Sequence, residues 1–246
     1  MLVDTRVQSW FDDATVIRPA EPKDLAGVER ISLTQEDGCL AVDTGIARFV
    51  FRRGGSFPFD GVTAGGLDLA DCAAPDHGLV VTTATGNSSH GRVDDVNIEH
   101  AGQLRVSVRL VGTLPVGSRT AVVVARVDLF AGLAAARVRL TIRNRDRAQH
   151  PGNYWDLGDQ GSILIRDLSV RLALPKVKSS TPRLRVATES GSAWFGVQLP
   201  LELYQDSSGG DGWQSTNHLD RQRRVPTSFR GYRLSGGVGA EPRGHR

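Results

Sequence analysis

Lysine is almost missing from this chain. Of its 30 basic residues only Lys23, Lys176 and Lys178 are lysines, and the formal net charge is +3. The arginines stand mostly alone, interleaved with Asp and Glu; Arg52-Arg53 and the run from Arg221 to Arg224 are the short exceptions. That spacing predicts a solvated sheet face and argues against a nucleic-acid partner, which would call for a clustered basic stripe. Cysteine is equally scarce. Cys39 and Cys72 form no C-x-x-C or zinc pattern, so two free thiols and no metal site built on them are expected. No run of about 18 apolar residues occurs, so no membrane helix is expected. The opening segment, MLVDTRVQSWFDD, has no basic stretch followed by an apolar one, so no secretion signal is visible. The phosphate-cradling loop, the G-x-S-x-G elbow, the H-E-x-x-H helix and the EF-hand loop are all missing. Nor does an apolar i, i+3, i+4, i+7 pattern persist for three turns, which removes a helical catalytic domain from the stretch in hand.

What remains is strand after strand. In RVRLTIRN, Val138, Leu140 and Ile142 point one way, while Arg137, Arg139, Thr141 and Arg143 point the other; this period of two marks a half-buried strand. SRTAVVVARVDLF puts Ala121, Val123, Ala125, Val127 and Leu129 on one face. QLRVSVRLVG puts Leu104, Val106, Val108 and Leu110 inward, and IARFVFRR does the same with Ala47, Phe49 and Phe51. GLVVTTAT (78–85), LELYQD and TSFRGYRLS read as further strands. In SILIRDLSVRL the apolar phase slips near Arg166-Asp167, as one extra residue in a β-bulge would make it do. The fold expected is all-β, a large antiparallel sandwich of about a dozen strands. Residues 1–30 read as a lead-in, 31–235 as the sandwich and 236–246 as a disordered tail. His77, His90 and His100 fall near turns and read as surface residues.

Two loops concentrate chemistry. The connection 145–161, RDRAQHPGNYWDLGDQG, is far longer than the usual hairpin loop of about 2–5 residues. Tyr154 and Trp155 offer an aromatic platform for a sugar ring, and His150, Asp156 and Asp159 offer groups to bind hydroxyls or move protons. The competing reading makes Trp155 and Leu157 plugs for the end of the sandwich, with the two aspartates in turn hydrogen bonds. Calcium at Asp156 and Asp159 is a weaker alternative, because two carboxylates fall short of the six to eight oxygens calcium takes; no cofactor is expected. The second loop, 203–218, combines Tyr204, Asp206, Asp211, Trp213, Asn217 and His218 with the small run Ser207 to Gly210. It reads either as a ligand-hugging loop or as a surface loop anchored by Trp213.

The runs FVFRRGGSFPFDGVTAGGLDL, DLFAGLAAARVRLTIRNRDRAQHPGNYWDLGDQGSILIRDLSVRL and LYQDSSGGDGWQSTNHLDRQRRVPTSFRGYRL together resemble the exo-rhamnogalacturonan lyase-like family. That family joins an N-terminal RIFT barrel, a central β-sandwich and a C-terminal α/α toroid. The resemblance covers roughly residues 35–235 and falls on the central sandwich. Residues 1–30 then become the end of the barrel domain, and the chain is expected to be a truncated portion of a longer protein whose missing toroid is its partner. The compartment is left unknown: with no signal visible the chain as it stands is expected to be cytoplasmic, and the parent's compartment stays open, secretion included.

The resemblance implies β-elimination at a uronic acid in a rhamnose–galacturonate chain. Such a reaction needs a group to neutralise the uronate carboxylate and a base for the C5 proton. Arg145 or Arg147 would serve as the first, and His150, Tyr154 or His218 as the second. Trp155, Asp156, Asp159, Tyr204, Asp206, Trp213 and Asn217 would then hold the substrate. Without a toroid the chain is expected to be inactive. Two other readings stay open: a non-catalytic carbohydrate-binding or scaffolding module, and a self-contained sugar-modifying enzyme of the mutarotase-like sandwich type using His150 or His218. The expected partner in every case is an oligo- or polysaccharide, with no membrane.

Overall fold

A computed structural model of the chain describes residues 30–147, 160–175, 184–187, 193–197, 200–207, 210–215, 223–225, 227–235 and 243–244. Among these the fold is all-β, with every strand pair antiparallel and no helix. The chain divides into two compact units, one formed by residues 1–145 with 163–176 and the other by 146–162 with 177–246.

The first unit holds three sheets. Strands β1 (Ser32–Glu36), β2 (Cys39–Asp43), β3 (Ala47–Arg52), β4 (Gly61–Ala64) and β5 (Leu67–Asp68) follow one another as a meander. Strands β8 (Arg92–Ala101), β9 (Arg105–Val116), β10 (Arg119–Phe130) and β11 (Ala136–Asn144) form a second meander. The third sheet pairs β6 (Gly78–Thr83) with the short β7 (Ser88–His90) on one side and β12 (Ile165–Arg171) on the other. The sheets share one apolar core, giving a sandwich-like layering. The residues that the alternation placed inward on β3, β10 and β11 lie in it or against it. Ala47, Phe49 and Phe51 on β3 are at most 3% exposed, and Ala121, Val123, Ala125, Val127 and Leu129 on β10 at most 1%. Val138, Leu140 and Ile142 pack against the same core from β11. Phe59 is 1% exposed and sits against Phe49 and Phe51 with ring centroids 5.5 and 6.0 Å away. Leu104 departs from the pattern: it precedes β9 and is exposed.

The phase slip is a bulge. The register of β12 on β6 shifts between Ile165 and Asp167, so that Leu168 pairs with Val81 and Val170 with Leu79. The two strands that flank the long connection, β11 and β12, are not partners and form no hairpin. β11 pairs with β10 and β12 with β6, in different sheets. A hairpin needs a short turn to hold its register, and this connection is too long to supply one.

His77 also departs from expectation. It is 3% exposed, and Ala173 donates its backbone N–H to Nδ1 at 3.3 Å. Nδ1 must then be the acceptor, so the proton sits on Nε2, 3.3 Å from the carbonyl of Phe59. His77 thus ties the exit of β12 to the loop before β4, while His90 and His100 are exposed. Cys39 and Cys72 are free thiols. Burial, helped by Asp60, Asp71 and Asp68, pushes the Cys72 thiol up to about 11.

The second unit contains β13 (Leu184–Val186) paired with β14 (Phe195–Val197), and a sheet of β15 (Glu202–Gln205), β16 (Tyr232–Ser235) and β17 (Arg243–Gly244). β17 lies in the stretch that reads from sequence as a tail.

Candidate functional site

Of the sequence-predicted site residues, His150, Tyr154, Trp155, Asp156, Asp159, Asn217 and His218 lie outside the described residues. Arg145 and Arg147 are both exposed. Tyr204, Asp206 and Trp213 belong to one cluster in the second unit, built on the β15–β16 pair.

Register creates that cluster. Glu202 pairs with Ser235 and Tyr204 with Arg233, so these four share one face; Leu203–Leu234 and Gln205–Tyr232 share the other. Leu234 is buried on its side of the sheet, leaving the Tyr204–Arg233 face to the polar groups. The Tyr204 ring lies 5.8 Å from that of Phe229 at a tilt of 59°. The Arg233 guanidinium carbon sits 3.9 Å over the Phe229 ring centroid, a cation–π stack that fixes the guanidinium plane. Arg233 Nε is buried and has no hydrogen-bond partner among the described residues.

Asp206 holds the loop that carries Phe229. Its Oδ2 accepts the backbone N–H of Phe229 at 2.9 Å, the backbone N–H of Ser228, and the Ser228 hydroxyl at 3.2 Å. Its Oδ1 accepts the Tyr204 hydroxyl at 3.3 Å. Burial pushes the Asp206 carboxyl pKa up, but these four donors outweigh it and leave the group below the ordinary aspartate value. A carboxylate held ionised by donors on both oxygens is a poor proton shuttle at neutral pH. Its role here is to aim the 227–233 segment. Gly231 closes the segment at φ +76°, a left-handed conformation that favours glycine, and donates its N–H to Ser207 Oγ at 2.7 Å. Trp213 is tied in through its carbonyl, which accepts the Thr227 hydroxyl at 3.4 Å, and its side chain is half-buried. Asp211 pairs with Arg230 at 3.1 Å on the exposed rim.

The cluster therefore combines an aromatic pair, a stacked guanidinium and an ionised carboxylate. Phe229 and Arg233 escaped the reading of the sequence because their partner, Tyr204, is 25 or more residues upstream. The alternation of LELYQ against GYRLS carried the only trace of it. Among the described residues no three His, Cys, Asp or Glu side chains gather in a way that could hold a metal ion. No protein-family model and no curated protein sequence matches the chain.

Proposed function

We propose that this chain is the β-sandwich portion of a polysaccharide lyase-like protein directed at rhamnogalacturonan or related pectin, and that by itself it binds its sugar without cleaving it. One observation carries the reading: Arg233 is stacked on Phe229 beside Tyr204, with a buried Nε that has no partner among the described residues. A uronic acid presents an apolar ring face and a carboxylate. A half-exposed tyrosine ring suits the first, and a guanidinium whose plane is already fixed suits the second. Asp206 is committed to the backbone of its own loop, which supports recognition over proton transfer at this place. The resemblance over residues 35–235 supplies the polysaccharide class.

Calorimetric titration with short oligogalacturonides tests this. Saturable binding is expected, together with no growth of the absorbance of an unsaturated uronate. Tyr204→Ala and Arg233→Gln should each weaken binding about tenfold or more, the loss expected for one stacked ring or one charge-assisted contact. Absence of saturable binding would overturn the reading, and turnover by the isolated chain would replace it with that of a self-sufficient lyase.

A further inference from the structure

The outward face of the β8–β11 sheet gathers like charges across neighbouring strands. Arg126 on β10 lies directly across from Arg109 on β9 and from Arg139 on β11, so three guanidinium groups stand in one row across three strands. Strands are about 4.8 Å apart, which makes this a row of like charges at close spacing, and like charges directly opposite one another are unfavourable. Two carboxylates offset part of the repulsion. Glu99 takes the fork of Arg126, with Nε at 2.8 Å and Nη2 at 3.0 Å, and reaches Arg109 at 3.5 Å. Asp128 takes Arg105 at 2.9 Å and Arg139 at 3.3 Å.

The offset is incomplete. Arg137, across from Asp128, and Arg143, across from Val122, lie on the same face with no acidic partner among the described residues. Arg105, Arg109, Arg126, Arg137, Arg139 and Arg143 outnumber Asp95, Glu99 and Asp128 there. Between the triple row and Arg143 the floor is formed by the small side chains of Val111, Val124 and Thr141. The arginines of the row stay 35% to 53% exposed, within reach of an external ligand.

We infer that this face of the first unit binds an acidic, carboxylate-bearing polysaccharide laid across the strands, through residues other than those of the Tyr204–Arg233 cluster. The choice of a sugar acid over other polyanions rests on the polysaccharide reading above and on two features of the face itself. The Arg126 fork already holds a carboxylate in two-point geometry through Glu99, so the local chemistry is that of carboxylate recognition. The one aromatic side chain paired on this face, Phe130, stands across from Arg105 at the end of β10 and away from the triple row, so the row lacks a platform for stacking successive bases, and a sheet face has no element to enter a groove. Positive potential from the unpaired arginines would attract the chain and make its binding salt-dependent.

The test uses the full chain with polygalacturonate and, for comparison, the same polymer fully methyl-esterified. The acidic polymer should bind with an affinity that falls as salt rises, and the ester should bind far more weakly. Arg137→Gln/Arg143→Gln removes charge without breaking an ion pair. It should weaken the acidic polymer about tenfold at low salt and flatten the salt dependence. Glu99→Gln frees Arg126 and Arg109 and should strengthen binding, a gain that a merely structural role for Glu99 does not produce. Unchanged affinity in these variants overturns the inference, as does equal binding of the ester or of single-stranded DNA of matched charge. Tyr204→Ala separates the two sites. Loss of short-oligomer binding with an intact salt dependence for the polymer leaves both readings standing. Polymer binding that depends on Arg137 and Arg143 while short oligomers never bind leaves this inference standing and sinks the other.

Discussion

Replacing Asp128 by alanine isolates the only fully buried carboxylate among the described residues. Asp128 is 1% exposed on the outward face of β10; its Oδ1 accepts the Ser107 hydroxyl at 2.5 Å and Arg105 at 2.9 Å, and its Oδ2 accepts Arg139 at 3.3 Å. Arg105 and Arg139 are about half exposed, so after the substitution both return to water, and their share of the loss is small. Ser107 is 5% exposed; its Oγ still accepts Arg105 Nη2 at 3.1 Å, but its own hydroxyl proton loses its acceptor, and a buried donor left unsatisfied costs about 1–3 kcal/mol. The net expectation is a loss of about 2 kcal/mol at neutral pH, and Ser107→Ala in the same background should return about 1 kcal/mol of it. The pH dependence follows from the carboxyl. Burial raises its pKa, but the Ser107 hydroxyl and the two guanidinium groups overcome this and hold it below the ordinary value. A depressed carboxyl stabilises the fold above its unfolded pKa of about 3.9, and that contribution is lost as pH falls through the lower folded value. Urea denaturation of the two proteins should therefore show a constant gap from about pH 7 to pH 5 that begins to narrow below about pH 4. A gap that widens as the pH falls below about 4, or no gap at neutral pH, refutes the reasoning.

Other substitutions probe separate features. Gly112→Ala on β9 would place its Cβ 2.0 Å from the carbonyl oxygen of Arg92 and 2.9 Å from the Phe57 ring. Strand β8 cannot yield by that much locally, and a loss of about 3 kcal/mol or failure to fold is expected in thermal unfolding. Phe59→Ala empties the space against Phe49 and Phe51 and should cost about 3–5 kcal/mol. Cys72, held at about 11, should stay slow toward iodoacetamide at pH 8 in the folded protein and react fully in urea; prompt labelling of folded Cys72 would contradict its environment. Asp206→Asn should loosen the 227–233 segment and weaken oligogalacturonide binding while the first unit melts unchanged; equal affinity would show that the loop needs no such anchor.

Alternation alone determined the all-β character and most of the core, because an apolar residue at every second position has only one face on which to be buried. Ala121 to Leu129, Ala47 to Phe51 and the arginine side of β11 needed nothing more. Even the slip at Arg166-Asp167 was legible, since one inserted residue exchanges the faces of everything that follows it. Pairing was another matter. Which strands meet across the long connection depends on sheets assembled from distant segments, and so β12 lies on β6. Burial of polar groups was likewise a tertiary decision. His77 and Asp128 look like surface residues until Phe59, Ala173, Ser107 and the arginines of neighbouring strands are brought around them. The row Arg109–Arg126–Arg139 and the stack of Arg233 on Phe229 have the same origin. Each is a cross-strand or through-space neighbourhood, and a linear reading holds no register between strands until the backbone hydrogen bonds set it.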